Sequence, residues 1–233
     1  MNAALPVAPT QKSTRSRKKQ WRVPVGLSVL TAIPVVAGLV RLSRLAVGEA
    51  VTVENARFFA SPLPVVTHVV SASLFCVLGA FQFVPTLRQG GRQWHRIAGR
   101  LLVPCGVAAA LSGLWMTLFY DLPLGSDQTV ALFHWVFGLL QLVRLFVGTG
   151  MVVALALGLA AIRTRSFVRH RAWMLRAYAL GMGAGTQAFI NLPWLLLVGN
   201  PEGIVRVLLM TSGWAINLTV AEWLIRTRPS GMR

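Results

Sequence analysis

Residues 143–178 read VRLFVGTGMVVALALGLAAIRTRSFVRHRAWMLRAY, an apolar run followed by a cluster of basic residues. The apolar run, residues 143–162, has the length of about 20 residues that a helix needs to cross about 30 Å of hydrocarbon. The basic cluster begins at Arg163 and includes His170 and Arg176. A long apolar helix that ends at basic residues is typical of a membrane span whose end meets the water boundary.

The composition of the whole chain follows the same pattern. Of its 233 residues, 55% are hydrophobic and 12% are charged, and the mean hydropathy is +0.63. These values exclude an ordinary soluble domain and indicate a polytopic membrane protein. The net charge of +17 does not indicate nucleic-acid binding, because the basic residues lie between apolar runs.

Six apolar segments of spanning length can be drawn, at residues 24–40, 65–84, 97–120, 143–162, 172–198 and 204–225. If the N-terminus is cytoplasmic, residues 1–22, 87–100, 163–176 and 226–233 lie on the cytoplasmic side and carry 6, 4, 5 and 3 basic residues. These are 18 of the 23 Lys and Arg residues, and the other side keeps Arg41, Arg44, Arg57, Arg144 and Arg206. Because short cytoplasmic loops are rich in Lys and Arg, we predict an all-α protein with six transmembrane helices and both termini in the cytoplasm.

The chain is predicted to form one transmembrane domain, residues 23–226, with short polar ends. Residues 1–22 form a basic arm that is too polar to fold alone and is expected to be disordered against anionic lipid headgroups. Residues 227–233 form the predicted cytoplasmic tail. A cleaved secretory signal is disfavoured, because Arg41 and Arg44 interrupt the sequence before a small-residue cleavage site.

The short motifs of soluble enzymes do not occur in the sequence. There is no P-loop, GxGxxG, HExxH or nucleophile elbow, and the acidic residues are too few and too exposed for a paired-carboxylate site. Cys76 and Cys105 both lie inside predicted helices, so neither a disulfide nor a zinc site is indicated. Soluble hydrolase and nucleotide chemistry are therefore excluded, and the sequence leaves open whether the protein is an enzyme.

Two histidines begin apolar helices at the predicted cytoplasmic boundary. The sequences HRIAGR, from His95 to Arg100, and HRAWMLR, from His170 to Arg176, both place an Arg directly after the His and another one to two turns later. If helices 3 and 5 bring the two imidazoles to one level, they are suited to be the axial ligands of a b-type haem, with Arg100 and Arg176 toward its propionates. No metal site other than this haem iron is predicted.

Two other interpretations of these residues stay open. A His beside an Arg at a helix start is often an interfacial residue that reaches water, while the arginine sets the orientation of the helix. The third interpretation is a site for an anion or a lipid headgroup.

A second group of polar residues is predicted at the other membrane boundary. His68 lies about 30 Å of helix from Arg88, and Arg144 lies about 28 Å from Arg163. We therefore predict an outer polar pocket made of His68, Arg144 and Gln82, the last of which shares a helical stripe with His68. His134 overshoots this level, so residues 129–142 are predicted to form an interfacial segment.

Four further polar or small residues have predicted structural roles. Glu222 is expected to pair with Arg226, four residues later on the same helix. Asn217 is expected to donate a hydrogen bond between helices, and Gly181 with Gly185 to form a helix-packing surface.

Several separate motifs together resemble a known family. In chain order they are ARFFASPLPVVTHVV, GAFQFVP, HRIAGRLLVP, GLWMTLFY, RHRAWMLRAYALGMGAGTQ and GWAINLTVAEWLIR, within residues 56–226. They resemble the bacterial membrane-protein family called domain of unknown function 2306. The resemblance implies a multi-helix protein of the bacterial inner (plasma) membrane without an established activity. It also implies shared positions at His68, Gln82, His95, Arg96, Gly99, Arg100, Arg144, His170, Arg171, Trp173, Arg176 and Tyr178.

A weaker resemblance is to the six-helix, two-haem cytochrome b proteins. In that group helices 2 and 4 supply one histidine pair and helices 3 and 5 supply the other. Here His68, His134, His95 and His170 fall on or beside those helices in that order. The resemblance rests on the helix order of the histidines alone.

Three functions are compatible with these patterns. The first is electron transfer through a haem b held by His95 and His170, with a membrane quinone as partner. The second is a carrier or sensor of an anionic amphiphile or lipid, which uses Arg100, Arg171 and Arg176 on the cytoplasmic side and the outer pocket on the other. The third is a structural or assembly protein of the membrane. The lipid bilayer is the expected partner in each case, nucleic acid is not, and the oligomeric state stays open.

Overall fold

The chain folds into helices throughout the part that the structure describes. The structure is a computed structural model that describes residues 20–84, 92–120 and 130–227, except for the side chains of residues 92 and 130–137. No strand occurs in those ranges, so the predicted all-α class is confirmed. The helices are α1 (Arg22–Ala46), α2 (Ala56–Ala60), α3 (Pro62–Phe81), α4 (Arg92–Phe119), α5 (Val130–Arg163), α6 (Phe167–Gly181), α7 (Gly183–Leu197) and α8 (Gly203–Thr227). Nearly all of the predicted basic arm and of the predicted tail lies outside the described residues.

Within the described ranges, five helices are long and apolar enough to cross a membrane. They are α1, α3, residues 93–119 of α4, residues 138–163 of α5, and α8. The remaining predicted span, residues 172–198, is divided at Met182 between α6 and α7. Each of these two helices has 15 residues, about 22 Å, which is shorter than the hydrocarbon core. The count of six spans and the orientation of the termini therefore stay predictions.

Contacts at the helix ends show that consecutive long helices run antiparallel. The ring of Trp21, just before α1, lies 6.3 Å from the ring of Phe81, the last residue of α3. At the other end of α3, the hydroxyl of Tyr120, just after α4, donates a hydrogen bond of 2.7 Å to the carbonyl of Ser61. The start of α1, the end of α3 and the start of α4 therefore share one end of the bundle.

The same alternation continues through the rest of the chain. His170, in the first turn of α6, bonds to the carbonyl of Gly158 near the end of α5. Arg176 of α6 bonds to Glu222 near the end of α8. The ring of Phe83, just after α3, lies 5.1 Å from the ring of Tyr178 in α6, so the beginning of α1 and the end of α8 lie at the same end of the bundle. We call this end the termini side, and the other end the opposite side.

The core is built around two aromatic rings, those of Phe75 in α3 and Tyr178 in α6. Their centroids are 5.9 Å apart and the residues are only 5% and 7% exposed. The hydroxyl of Tyr178 donates a hydrogen bond of 2.8 Å to the carbonyl of Cys76. A Cβ on Gly79 would lie 2.5 Å from the Tyr178 ring, and one on Gly181 would lie 2.8 Å from the Phe75 ring. The predicted packing role of Gly181 is confirmed, because its missing side chain makes room for the core ring.

The break at Met182 is supported by side chains from other helices. The Nδ2 of Asn217 donates a hydrogen bond of 3.2 Å to the carbonyl of Ala179, and the Sγ of Cys76 donates one of 3.3 Å to the carbonyl of Gly181. Backbone polar groups inside a membrane need partners, so these donors satisfy carbonyls at the point where α6 ends. The predicted role of Asn217 as an interhelical donor is confirmed.

Helix α5 is longer than predicted. It is one continuous helix of 34 residues, about 51 Å, from Val130 to Arg163. The predicted separate interfacial segment at residues 129–142 is therefore wrong for residues 130–142. No proline interrupts this stretch, so its backbone continues the helix of the span. The side chain of His134 lies outside the described residues.

Candidate functional site

Four arginines from four helices meet on the opposite side of the bundle. They are Arg41 in α1, Arg57 in α2, Arg144 in α5 and Arg206 in the first turn of α8. Arg57 lies within electrostatic range of Arg41 and Arg206. Arg144 in turn lies within range of Arg57 and Arg206. We call these four residues the arginine cluster.

An aromatic residue next to Arg57 supports the cluster. The guanidinium carbon of Arg41 lies 4.4 Å from the centroid of the Phe58 ring, and that of Arg57 lies 4.9 Å from it. The Phe58 ring also meets the Tyr120 ring edge to face, with centroids 5.5 Å apart. Because Tyr120 is hydrogen-bonded to Ser61, the ring contacts tie α1 and α2 to the ends of α3 and α4. Cation–π contacts of this kind stabilise guanidinium groups that are partly removed from water.

Burial and mutual repulsion of the positive charges in the arginine cluster are both unfavourable to the folded chain. Burial lowers the pKa of the Arg57 guanidinium, and the positive charges of Arg41 and Arg206 lower it further. Arginine nevertheless stays charged in proteins, so the guanidinium groups still repel one another in the folded chain. Within the described part of the chain, neither Arg144 nor Arg206 forms an ion pair with a carboxylate. The guanidinium groups of Arg144 and Arg206 therefore form a local positive charge that favours the binding of an anion.

Among the described residues His68 forms its hydrogen bonds with α4 and none with Arg144, the residue predicted to share its pocket. The Nδ1–H of His68 donates a hydrogen bond of 2.8 Å to the carbonyl of Ala109 in α4, and the Oγ of Ser112 lies 3.3 Å from the same nitrogen. Arg144 belongs instead to the arginine cluster. His68 thus connects α3 to α4 within the bundle.

Gln82 lies far from both His68 and Arg144. It directly follows α3 on the termini side, 14 residues and about 21 Å of helix from His68. Both polar atoms of its side-chain amide are buried and have no hydrogen-bond partner among the described residues. Gln82 therefore lies at the other end of the bundle from Arg144.

The two histidines predicted to bind haem lie on the termini side. His170 is half-buried, and its Nδ1–H donates a hydrogen bond of 2.8 Å to the carbonyl of Gly158 in α5. This bond orients the ring and leaves Nε2 available. His95 is half-buried in the first turn of α4. Arg100 and Arg171 are both exposed. Within the described ranges, no group of three or more His, Cys, Asp or Glu residues is arranged to hold a metal ion.

Arg176 has a strong partner that the sequence did not indicate. Its Nε and Nη2 donate hydrogen bonds of 2.5 and 3.0 Å to the two carboxylate oxygens of Glu222 in α8. Its guanidinium also lies 4.6 Å from the ring centroid of Trp173. Glu222 was predicted to pair with Arg226; its close ion pair is with Arg176 of α6, and Arg226 acts on the carboxylate only at longer range.

The distribution of basic residues along the sequence pointed to the arginine cluster, whereas the short sequence motifs did not. Five of the 23 basic residues fall on the boundary that the charge distribution leaves poor in Lys and Arg. Four of those five form the cluster, and the fifth, Arg44, pairs with Glu49 at 3.7 Å. The arginines on the boundary that is poor in Lys and Arg are thus the ones that the folded chain brings together.

Comparison with known proteins identifies a family. The sequence pattern that defines the family described as "Predicted membrane protein (DUF2306)" matches residues 65–225, which is more than half of the chain. No curated protein and no solved structure matches the chain.

Proposed function

We propose that this chain, which belongs to the family of predicted membrane proteins DUF2306, binds the headgroup of an anionic amphiphile in its arginine cluster and acts as a carrier or sensor of that molecule. The observation that carries the proposal is that Arg144 and Arg206, from two helices, lie within electrostatic range of each other and form no ion pair with a carboxylate of the described residues. Like charges held together raise the energy of the folded chain unless an anion lies between them. An anionic headgroup offsets this repulsion and accepts hydrogen bonds from the guanidinium groups of Arg144 and Arg206.

The position of the cluster favours an amphiphile. Arg144 lies inside the candidate span at residues 138–163. The helices that carry Arg41, Arg144 and Arg206 also expose apolar side chains at similar depth, among them Leu39 of α1, Phe146 of α5 and Leu208 of α8. An acyl chain can lie along these side chains while its headgroup meets the arginines. We further infer that the chain lies in the bacterial inner membrane with cytoplasmic termini, because the loops expected there hold most of the basic residues. The cluster would then face the periplasm.

Replacement of Arg144 by Gln is expected to weaken the binding of anionic lipid about tenfold or more. A hydrogen bond to a charged group contributes about 1.5 to 3 kcal/mol, and about 1.4 kcal/mol corresponds to tenfold in affinity. Affinity is measured by native mass spectrometry of the detergent-purified protein titrated with phosphatidic acid and phosphatidylglycerol. Arg206→Gln changes an exposed residue and gives a second reading of the same site.

Arg44→Gln is the matched control for both variants. Arg44 lies on the same side of the bundle and pairs with Glu49 outside the cluster, so its removal should leave the affinity unchanged. Equal lipid affinity of the wild-type chain and both cluster variants would overturn the proposal. Neutralisation by Asp121 and Asp127, which lie outside the described residues, would then be the explanation to test with Asp→Asn variants.

A second candidate function, haem-linked electron transfer with a membrane quinone, is favoured by His170. Histidines that bind a metal usually donate their other ring N–H to a carbonyl or carboxylate, as Nδ1 of His170 does to Gly158. His170 and His95 would hold the iron, and the haem would supply one-electron chemistry. The predicted propionate contact fits less well, because Arg176 already holds Glu222.

An absorption spectrum tests this second candidate. If haem is bound, the oxidised and dithionite-reduced protein should show a Soret band that shifts on reduction, and His170→Ala should remove it. His68→Ala is the control, since His68 makes a similar bond from another helix. Protein expressed with ample haem that shows only the tryptophan band would remove this candidate.

A further inference from the structure

We propose that the segment that connects α5 to α6 docks on the anionic lipid headgroups of the membrane leaflet on the termini side. The segment, residues 163–169, reads RTRSFVR, and we call it the α5–α6 turn. It lies at the end of the bundle away from the arginine cluster, so the proposal goes beyond the function proposed for that cluster.

The first observation is the backbone conformation of Arg165. Its φ is 58°, and it is the only residue other than glycine with a positive φ in the described part of the chain. The amide of Arg165 donates a hydrogen bond of 3.1 Å to the carbonyl of Ile162, and the amide of Ser166 donates one of 2.8 Å to the carbonyl of Ala161. These two bonds form a helix-ending motif whose left-handed position is usually a glycine. An arginine at this position costs free energy, because its Cβ crowds the backbone.

The second observation is the charge of the α5–α6 turn. Backbone strain of this kind persists where the residue serves a function, so the arginine side chain is expected to have a role. Three arginines of the turn are exposed, Arg163, Arg165 and Arg169. No Asp or Glu occurs from residue 128 to residue 201, and Glu222 at the end of α8 is bound by Arg176. Within residues 20–84, 92–120 and 130–227 none of the three forms an ion pair, so their charge suits an anionic surface.

The third observation favours lipid as the partner. Phe167 and Val168 are 67% and 58% exposed and lie between Arg165 and Arg169. Exposed apolar side chains beside basic ones are typical of segments at the membrane interface, where the basic groups meet anionic headgroups and the apolar groups enter between the lipids. The 15 residues of α6, Met182 and the 15 residues of α7 make about 46 Å of helix. A bilayer with its headgroups is about 40 to 45 Å thick, so the first turn of α6 would lie at headgroup depth.

The experiment puts a fluorescent reporter on the α5–α6 turn of the full chain in lipid nanodiscs. Thr164→Cys carries the environment-sensitive dye nitrobenzoxadiazole, because Thr164 is exposed and its replacement keeps the arginines and Phe167 in place. The nanodiscs contain phosphatidylcholine with or without phosphatidylglycerol. We expect phosphatidylglycerol to shift the dye emission to the blue and to expose the dye to quenching by brominated lipid. The chain without this substitution, labelled in parallel, gives the background from Cys76 and Cys105.

Variants at Arg165 test its charge and its backbone separately. Arg165→Lys keeps the charge and the Cβ, Arg165→Gln keeps only the Cβ, and Arg165→Gly keeps neither. An arginine near an anionic leaflet contributes a factor of about five to the ratio of docked to undocked protein. We therefore expect the ratio of quenched to unquenched dye to fall about fivefold in the Gln and Gly variants and to be kept in the Lys variant. Arg226→Gln is the matched control, since Arg226 is an exposed arginine of α8 on the same side, and it should change the ratio far less.

Thermal unfolding in the same nanodiscs provides an independent reading. In phosphatidylcholine, Arg165→Gly should unfold about 2 to 4 °C above the wild-type chain, because glycine adopts the left-handed conformation without crowding. With phosphatidylglycerol this advantage should disappear, since only the wild-type chain gains the headgroup contact of Arg165. The same difference in both lipids would show that Arg165 has no role in docking.

Three further results would overturn the proposal. The first is a dye signal that does not depend on phosphatidylglycerol, and the second is an equal loss in Arg165→Gln and Arg226→Gln. The third is a larger change in the dye emission with soluble poly-glutamate than with phosphatidylglycerol, which would assign the turn to an acidic protein segment. Arg144→Gln should leave the dye signal unchanged, because Arg144 lies on the opposite side. The docking of the turn and the lipid site of the arginine cluster can therefore fail independently of each other.

Discussion

The variant Gly185→Leu is expected to unfold more readily than any other single variant considered for this chain. A Cβ on Gly185 of α7 would lie 2.6 Å from the carbonyl oxygen of Leu30 in α1. That oxygen belongs to the backbone of a neighbouring helix, so it cannot turn away as the end of a side chain does. Either α1 and α7 move apart or the new side chain adopts a strained rotamer. Overpacking of this kind costs about 1 to 3 kcal/mol, and we expect the upper end here.

The measurement is thermal unfolding in detergent, compared with Gly26→Leu as the matched control. Gly26 lies in α1 as Leu30 does, but a Cβ there would meet nothing within 4 Å. Gly26→Leu should therefore unfold near the wild-type temperature, while Gly185→Leu should unfold well below it. Similar unfolding temperatures for the two variants would show that α1 and α7 do not approach as closely as the structure has them.

The membrane spans were largely predictable from hydropathy, and the interruption in one of them was not. An apolar run of about 20 residues predicts a span wherever it occurs, because its composition alone decides the partition into lipid. The break at Met182 depends on contacts between helices that are far apart in the chain. Asn217 and Cys76 supply the donors, and a Cβ on Gly183 would meet the Trp214 ring. No local pattern in residues 172–198 contains that information.

The sequence predicted how far along its helix each candidate-site residue lies, but not which residues of other helices lie beside it. Counting residues from the basic loops put Arg144 toward the opposite side of the bundle, where the structure has it, since the rise per residue of a helix is fixed. The same count gave His68 as its neighbour, because depth cannot tell which face of a helix meets which partner. In the structure His68 turns to Ala109, and the neighbours of Arg144 are Arg57 and Arg206. These come from helices whose adjacency only the packed bundle defines.

The ion pair of Arg176 and Glu222 on the termini side shows that a pairing predicted within one helix has the same limit. The (i, i+4) spacing correctly indicates that Arg226 can approach Glu222 along one helix. It carries no information on a competing arginine from another helix. Arg176 reaches both oxygens of the carboxylate and lies over the Trp173 ring, so it has the more favourable geometry.

Removal of either partner of this ion pair is expected to destabilise the bundle by about 2 kcal/mol, because the remaining charge is left partly buried between α6 and α8. The side chains of Arg176 and Glu222 are 27% and 34% exposed, so water screens the remaining charge in part and the cost should stay below that of a fully buried pair. The double variant Arg176→Leu with Glu222→Leu removes both charges. It should therefore be clearly more stable than the sum of the two single variants implies.

The pair of Arg44 and Glu49 is the matched control in the same unfolding experiment. Its atoms are 3.7 Å apart and its side chains are 60% and 40% exposed, so each Leu variant there should cost about 1 kcal/mol or less. If the two pairs gave equal coupling energies, the contact of Arg176 with Glu222 would have to be a solvated surface pair. A larger coupling at Glu222 would instead mean that α8 is held to α6 by a charge contact. In that case a haem propionate could bind Arg176 only by displacing Glu222. The measured coupling energy of the pair is then the binding energy that a haem would have to supply at Arg176.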